Sequence, residues 1–252
     1  MKIEYYNEYS YALNRNMEFK VYGHAGKPCL VFPAQDGRFY DYEGFHMVDV
    51  IAPFIEAGKI QLFCVDSIDT ESWSANHLDG RYRIEQHEKY YHYICDEFLP
   101  RAKEMNRIAN GDEYGQAFMV TGCSMGATHA GNFYFRRPDL FDTVIALSGV
   151  YHAKFFFNDY MDDLVYANSP ENFLRDMPSD HPWMNYYRNN KAIICVGHGR
   201  WEEPMLESIA NLESIMHSKG VHNIWFDHWG NDVDHDWPWW RVQIAYFLGK
   251  LL

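Results

Sequence analysis

Residues 119–129 read MVTGCSMGATH, and the fold of the whole chain is best worked out from this stretch. It contains the pattern Gly122-x-Ser124-x-Gly126, which follows an apolar run and precedes a segment able to form a helix to about Arg137. A nucleophilic serine on a sharp turn between a strand and a helix has this sequence context. Glycines are needed on both sides because the backbone of such a turn is strained and tightly packed. The pattern therefore predicts a nucleophile at Ser124 and not an ordinary glycine–serine turn.

Length and composition limit the class of protein. The chain has 252 residues, which fits one α/β domain, and 47% of them are hydrophobic, enough for a sizeable core. The formal net charge of −13 argues against nucleic acid or an anionic membrane as a partner. Residues 1–6 have no apolar signal region, and no apolar run approaches the ~20 residues of a membrane span. We expect a cytoplasmic protein that acts on a small molecule, and homo-oligomer formation stays open.

The cysteines give a second indication of the compartment. Cys29, Cys64, Cys95, Cys123 and Cys195 are widely spaced and form no CxxC pair. Most of them lie in or beside apolar runs, so we interpret them as small buried hydrophobic residues in a reduced compartment. Cys123 precedes Ser124, but a cysteine at the end of a strand usually packs and takes no part in chemistry.

Apolar runs alternate with segments of helical spacing along the chain. Two short strands are predicted within 3–22, and further strands at 29–32, 60–65, 118–122, 143–147, 192–196 and 223–226. Helices are predicted at 42–57, 83–110 (ended or kinked near Pro100), 125–137, 204–219 and 239–251. This alternation predicts an α/β fold in a single domain, 1–252, with a mostly parallel sheet covered by helices on both faces.

One segment, 151–190, interrupts this alternation. It is aromatic and acidic, contains three prolines and has no clear period. Because it falls between two predicted strands, we interpret it as a small cap inserted into the domain. Its aromatic residues between 151 and 166 would either line an acyl or aryl pocket or form a small core under the cap, which is the commoner arrangement.

A serine hydroxyl needs a base to take its proton, and the base needs a partner that holds its tautomer. In a sheet of this class the order along the chain is serine, acid, histidine, and all three follow the carboxyl ends of strands. Four histidines lie after residue 200: His217, His222, His228 and His235. His235 is in the loop between the last strand and the last helix, so it is the predicted base, with His228 as the alternative.

The acid should follow the strand at 192–196, where Glu202 and Glu203 precede Pro204. Proline suits the first position of a helix, which places Glu203 at about the N-cap, where a carboxylate already has a structural role. Glu202 has no such role and is therefore the predicted acid, with Glu203 as the second candidate. Three acidic residues close to the histidine in sequence are weaker candidates: Asp232, Asp234 and Asp236.

The tetrahedral intermediate of acyl transfer needs two hydrogen-bond donors for its oxyanion. The backbone N–H of Met125, directly after the nucleophile, is the first donor by the geometry of the turn. The second should come from the loop after the strand at 29–32, where we predict the N–H of Gln35, with Ala34 as the neighbouring candidate.

Four stretches together resemble a known family. They are Gly-Cys-Ser-Met-Gly at 122–126, Arg-Pro-Asp-Leu-Phe at 137–141, Ala-Leu-Ser-Gly at 146–149, and His-Asp-Trp-x-Trp-Trp at 235–240. Nearly the whole chain resembles the putative-esterase (esterase D-like) branch of the α/β-hydrolases, which includes S-formylglutathione hydrolases, feruloyl esterases and mycolyltransferases.

The resemblance implies an α/β-hydrolase fold with Ser124 as nucleophile and His235 as base. Two departures concern the remaining site residues. The usual acid of this branch is aspartate, whereas here the strand is followed by Gly-Arg-Trp-Glu at 199–202. The usual His-Gly or Ser-Gly of the oxyanion loop is replaced by Pro-Ala-Gln at 33–35.

These observations predict a serine carboxylic-ester hydrolase that forms an acyl-enzyme on Ser124 and requires no metal or other cofactor. An acyltransferase would use the same residues, and a binding module could keep the fold without turnover. A metal site is a third possibility, because carboxylates and imidazoles crowd into residues 228–236. The spacing in this loop matches no metal-binding motif, and acidic loops are usually only solvated.

Overall fold

The computed structural model describes residues 1–111 and 117–252. The described residues form one eight-stranded sheet. Its strands are β1 (Ile3–Ser10), β2 (Arg15–Tyr22), β3 (Lys27–Phe32), β4 (Ile60–Val65), β5 (Phe118–Cys123), β6 (Phe141–Leu147), β7 (Lys191–Val196) and β8 (Trp225–His228).

The strands lie in the order β1-β2-β4-β3-β5-β6-β7-β8. β1 pairs with β2, and β2 with β4, in antiparallel fashion, whereas every pair from β4 to β8 is parallel. The parallel strands β4 and β5 are buried at every residue, as expected for strands that are covered on both faces.

Helices cover both faces of this sheet. They are α1 (Asp41–Gly44), α2 (Met47–Glu56), α3 (Gly80–His92), α4 (Leu99–Ala109), α5 (Met125–Arg136), α6 (Lys154–Phe157), α7 (Asp163–Ala167), α8 (Pro170–Asp176), α9 (Trp183–Asn189), α10 (Glu203–Ser218) and α11 (Trp237–Leu251). The apolar faces of α2 and α11 share one core cluster with one side of the sheet. Residues of α4, α5, α8 and α10 contribute to the cluster on the other side. The predicted α/β class with a mostly parallel, doubly covered sheet is confirmed.

Within the described part of the chain, none of these helices is long and apolar enough to cross a membrane.

Two predicted helices are interrupted. The segment 42–57 is split into α1 and α2 by His46, which has a φ of 61° and so ends the first helix. The segment 83–110 is divided by a π-helical turn over Tyr93–Phe98, directly before Pro100 at the start of α4. Proline removes one N–H and its ring displaces the carbonyl of the preceding turn, and the wider π turn accommodates both effects.

The segment 151–190 folds into the four short helices α6 to α9. Its later part joins the main core through Leu174, Met184 and Tyr187. Its earlier part forms a separate apolar cluster with residues from the loop 66–79, from α3 and from the position after Ser124. This cluster consists of Trp73, Ile84, Met125, Ala153, Phe157 and Val165.

Candidate active site

The predicted site residues all follow strands that end at one edge of the sheet. β3, β5, β6, β7 and β8 are consecutive in space and parallel, so their carboxyl ends meet there. Ligand sites of α/β sheets are built from the loops at this edge. The loops that carry Gln35, Ser124, Glu202 and His235 are therefore brought together by the topology alone.

Ser124 stands on a sharp turn between β5 and α5. Its backbone has φ 56° and ψ −123°, an unusual conformation for a residue with a side chain, which costs about 1–3 kcal/mol. A Cβ on Gly122 would lie 2.3 Å from the backbone carbon of Gly126. A Cβ on Gly126 would lie 2.5 Å from the carbonyl oxygen of Pro33. The two glycines of the pattern are therefore required by backbone contacts, as a nucleophile elbow demands.

The imidazole of His235 lies directly beside this serine. Its Nε2 is 2.8 Å from Ser124 Oγ, which is hydrogen-bonding distance. The backbone N–H of His235 donates to the carbonyl of Arg200 at 3.0 Å. The indole of Trp240 packs edge-on against the imidazole, with ring centroids 4.9 Å apart. The backbone hydrogen bond and the packing of the ring together fix the position of the histidine.

Backbone hydrogen bonds join the loop after β7 to the loop after β8. The N–H of Gly199 donates to the carbonyl of Val233 at 2.9 Å. A Cβ on Gly197 or Gly199 would lie 2.1 Å or 2.6 Å from that carbonyl oxygen, so only glycine permits the approach. Since Glu202 ends the first loop and His235 lies in the second, this contact fixes Glu202 relative to His235.

Glu202 is fully buried and lies behind the imidazole. Its Oε2 is 3.4 Å from His235 Nδ1, and its Oε1 accepts a hydrogen bond from Ser148 Oγ at 2.6 Å. Glu202, and not Glu203, occupies the N-cap position of α10, so the helix begins one residue earlier than Pro204 predicts. Its side chain makes no capping bond, because it points to the histidine. Glu203 is the first residue of the helix and is exposed.

The alternative base lies elsewhere. His228 Nδ1 is 3.4 Å from His198 Nε2, and its own Nε2 is 4.0 Å from Glu213. His217 and His222 lie against each other, with ring centroids 5.0 Å apart. Of the four histidines considered, the structure places only His235 in hydrogen-bonding contact with Ser124.

The weaker candidates for the acid have different partners or face solvent. Asp234 forms an ion pair with Arg200, whose Nε and Nη2 both donate to Oδ2, and this guanidinium holds the pKa of the carboxyl below its usual range. Asp236 accepts a hydrogen bond from the N–H of Trp237 at the start of α11. Asp232 is exposed. Among the residues that the structure describes, no three or more Cys, His, Asp or Glu side chains converge in a way that could hold a metal ion.

The loop after β3 lies against the elbow through the contact between Pro33 and Gly126. Within it, the N–H of Ala34 donates to the carboxylate of Asp41 at 2.9 Å. Ala34 is therefore engaged, whereas the N–H groups of Gln35 and Met125 donate to no other group in the described parts of the chain. Of the three predicted candidates, Gln35 and Met125 therefore keep an N–H that is available to an oxyanion.

Cys123, next to the nucleophile, is buried, and its thiol is 3.6 Å from the hydroxyl of Tyr42. Burial raises the pKa of this thiol above its ordinary value, so it stays neutral. The other four cysteines are also buried free thiols. Cys123 therefore packs the end of β5.

Sequence reasoning missed three residues that support the site: Asp41, Ser148 and Trp240. Ser148 and Trp240 occur in the stretches that carry the family resemblance, but nothing in those stretches showed that Ser148 contacts Glu202 or that Trp240 contacts Ser148. Asp41 gave no signal, because an acidic residue in a loop is usually solvated. The contacts of Ser148 with Glu202 and with Trp240 join residues far apart in the sequence, whereas Asp41 contacts the nearby Ala34.

Comparison with known proteins shows the family of this chain. The family model described as "Putative esterase" matches residues 10–251, so the chain belongs to the putative esterase family. It is accordingly an enzyme of the esterase class. A search of curated proteins found no significant match.

Solved structures show the same fold at low sequence identity. A ferulic acid esterase superposes with a TM-score of 0.72 at 18% identity, over 98% of this chain and 95% of that chain. An S-formylglutathione hydrolase from Agrobacterium tumefaciens gives 0.69 at 14% identity, over 98% and 93%. A fluorophosphonate-binding serine hydrolase from Staphylococcus aureus gives 0.62 at 16% identity, over 98% and 97%. The fold is therefore that of the α/β-hydrolases.

Proposed function

We propose that this enzyme hydrolyses a carboxylic ester of modest size through an acyl-enzyme on Ser124, with His235 as general base and Glu202 as the orienting acid. The observation that carries the proposal is the 2.8 Å contact between Ser124 Oγ, on its strained turn, and His235 Nε2. A hydroxyl and an imidazole at this distance, with a carboxylate behind the second ring nitrogen, have the geometry of an activated nucleophile.

In the first half of the reaction, Ser124 Oγ attacks the ester carbonyl while its proton passes to His235 Nε2. The imidazolium that forms is stabilised by Glu202, whose Oε2 accepts a hydrogen bond from Nδ1. The 3.4 Å separation of these atoms is long for a hydrogen bond, but catalytic contacts often shorten when substrate binds. His235 then returns the proton to the alkoxide that leaves.

The negative charge of the tetrahedral intermediate develops on the former carbonyl oxygen. We assign its stabilisation to the N–H groups of Met125 and Gln35, which have no other acceptor in the described structure. Asp41 supports this arrangement indirectly, because it holds the loop by accepting the neighbouring N–H of Ala34. Donors fixed in advance in this way lower the barrier without reorganisation during the reaction.

In the second half, water attacks the acyl-enzyme and His235 again takes and returns a proton. Both Ser124 and His235 are partly exposed, so water reaches the site. A dedicated acyltransferase would have to exclude water and hold a specific acceptor, and we identify no groove built for one in the described parts of the chain. Hydrolysis is therefore preferred over acyl transfer.

The segment 151–190 is proposed to act as a cap over the acyl side of the site. Ala153, Phe157 and Val165 pack with Trp73 and with Met125, the residue after the nucleophile. The buried guanidinium of Arg83 ties these parts together, since it donates to the carbonyls of residues 72, 73 and 156. The aromatic residues of the segment thus form a small core that walls the site near the nucleophile.

A panel of p-nitrophenyl esters of increasing acyl length tests the proposal. We expect turnover of short acyl groups, a decline as the chain lengthens, and no change after exhaustive chelation of metals. Product analysis in the presence of an alcohol at millimolar concentration distinguishes hydrolysis of the acyl-enzyme by water from transfer of the acyl group to the alcohol. Free acid should dominate, whereas a dominant transfer product would identify an acyltransferase with the same residues.

A further inference from the structure

The second oxygen of the buried acid has a partner of its own. Glu202 directs Oε2 towards His235, and its Oε1 accepts a hydrogen bond from the hydroxyl of Ser148 at 2.6 Å. Both Glu202 and Ser148 are almost completely inaccessible to solvent. A carboxylate buried in this way needs hydrogen bonds to remain ionised, and Ser148 supplies the shorter of its two contacts.

The direction of this hydrogen bond is set by Trp240. Its Nε1 is 3.2 Å from Ser148 Oγ, and an indole N–H can only donate. The serine oxygen therefore accepts from the tryptophan, and its own proton is free to point to the carboxylate. The same indole packs on the imidazole of His235, so Trp240 contacts both His235 and the serine that holds Glu202.

The backbone of Ser148 is strained where it makes this contact. Its φ is 63°, a value that favours glycine, and its N–H donates to the carbonyl of Cys195 at 2.8 Å. Ser148 follows β6, which lies between β5 and β7, so it stands between the nucleophile and the acid in space. Strain of this kind at a functional site indicates that the side chain itself is required.

We propose that Ser148 is a positioning residue of the reaction, which, oriented by Trp240, fixes the carboxylate of Glu202 behind His235. This inference rests on the triad proposed above and adds a fourth and a fifth residue to it. With one oxygen held by the hydroxyl, the carboxylate can present only the other to Nδ1. Without the hydroxyl it can rotate, and its charge is less stable.

Among the described residues, the ionisable groups that interact with Glu202 are His235 and the thiol of Cys195, whose pKa is raised chiefly by burial, so that this thiol stays neutral. Removing a donor from the carboxylate destabilises the deprotonated Glu202–His235 pair, so the pair binds its proton more tightly. The acid limb of the kcat/KM profile should then move to higher pH.

Ser148→Ala and Ser148→Gly test this directly, and the glycine variant also relieves the backbone strain. We expect kcat to fall about 10- to 100-fold with little change in KM, the range given by loss of a charge-assisted hydrogen bond. The acid limb should rise by roughly half a pH unit or more. Unchanged kcat and an unchanged limb in a folded variant would overturn the proposal. So would two variants that both fail to fold, since the role would then be structural.

Another buried serine provides a matched control. Ser208 Oγ donates to Oε1 of Glu171 at 2.6 Å and accepts a hydrogen bond from the N–H of Tyr151 at 2.7 Å. As at Ser148, a buried serine hydroxyl donates to a buried glutamate carboxylate. Unlike Glu202, Glu171 has no contact with His235 in the described structure. Ser208→Ala should lower the melting temperature and leave kcat and the acid limb unchanged.

A double-mutant cycle separates positioning from structure. If Ser148 acts through Glu202, Ser148→Ala should change kcat far less in the Glu202→Gln background than in the wild type. An equal loss in both backgrounds would contradict the proposal. Failure of the triad itself would be seen independently, because Glu202→Gln alone would then retain wild-type turnover.

Discussion

Two histidine–carboxylate pairs in the interior of this molecule look alike and differ in their surroundings. His235 and Glu202 are 3.4 Å apart, and the imidazole is 14% exposed. His129 and Asp69 are only 2.8 Å apart, and both are almost fully buried. By distance and burial alone, the second pair would be taken for the stronger acid–base site.

The two pairs differ in what the second nitrogen of each imidazole contacts. Nε2 of His235 meets the hydroxyl of Ser124, whereas Nδ1 of His129 is buried without a hydrogen-bond partner in the described structure. His129 lies among aromatic rings, stacked on His87 and edge-on to Trp73. A histidine–carboxylate pair becomes catalytic only when its free nitrogen reaches a nucleophile that substrate can also reach.

The buried pair therefore has a different role. Asp69 lies in a short 3₁₀ turn of the loop 66–79, and His129 lies on α5, one turn after the nucleophile. Their hydrogen bond ties the loop to the helix that carries Ser124. We infer that this pair contributes stability, and the pair at His235 contributes catalysis.

The largest effect should come from the base. His235→Ala should lower kcat by several orders of magnitude, because removal of one triad member inactivates the whole set, and should leave the melting temperature nearly unchanged. His228→Ala, a histidine near the same loop, is the control and should cost far less. The reverse ranking in a p-nitrophenyl ester assay would move the base to His228.

The second-largest loss of turnover should come from replacing the proposed acid, Glu202. Glu202→Gln keeps size and shape but removes the charge that stabilises the imidazolium, so we expect kcat to fall about 100- to 10,000-fold. Glu203→Gln should cost at most about 1 kcal/mol, at the start of α10, and leave turnover intact. Near-normal turnover in both variants would show that the acid lies elsewhere, and Asp232 would be tested next.

Replacing the carboxylate of the buried His129–Asp69 pair by an amide should lower stability and leave catalysis nearly unchanged. Asp69→Asn weakens a buried hydrogen bond to His129, and we expect it to lower the free energy of unfolding by about 1–3 kcal/mol. The folded enzyme should keep kcat within a few-fold of wild type. Urea unfolding and kinetics of the same preparations check both values. A large loss of kcat with unchanged stability would make Asp69 part of the catalytic machinery.

A smaller effect concerns the pH dependence of stability. Burial, followed by the charge of His129, holds the pKa of His87 well below its ordinary value, so the folded protein keeps His87 neutral. In the unfolded chain this histidine takes up a proton near pH 6.5. The free energy of unfolding therefore has its full value above pH 6.5 and decreases as the pH falls below it.

His87→Gln should reduce this loss by up to about 1.4 kcal/mol per pH unit below pH 6.5, whatever its effect at neutral pH. Unfolding free energies at several pH values measure the slope. His222→Gln, at an exposed histidine, should leave the slope unchanged. An identical slope in the wild type and the His87 variant would mean that His87 is not held neutral.

Much of this arrangement can be predicted from local sequence patterns. The fold class follows from alternating strands and helices, and the elbow at Ser124 from two glycines whose backbone contacts admit no side chain. The position of His235 predicts a base because a loop after the last strand reaches the sheet edge. The contact between Nε2 and Ser124 Oγ is consistent with that role, which remains to be tested.

The rest depends on contacts between distant residues. Glu202 can be separated from Glu203 in the sequence only by an argument about helix caps, and that argument misplaces the cap by one residue. Ser148 has an ordinary sequence environment, and its strained backbone and its hydrogen bond to Glu202 exist only in the folded chain. The π turn before Pro100 likewise reflects how α3 and α4 join.

Active-site labelling shows whether Ser124 is the covalent nucleophile. After reaction with a fluorophosphonate probe, peptide mass spectrometry should place the added mass on the peptide that contains Ser124. Ser124→Ala should abolish both the label and the turnover. Labelling that persists in Ser124→Ala, or an adduct on any other serine, would show that the nucleophile is a different residue.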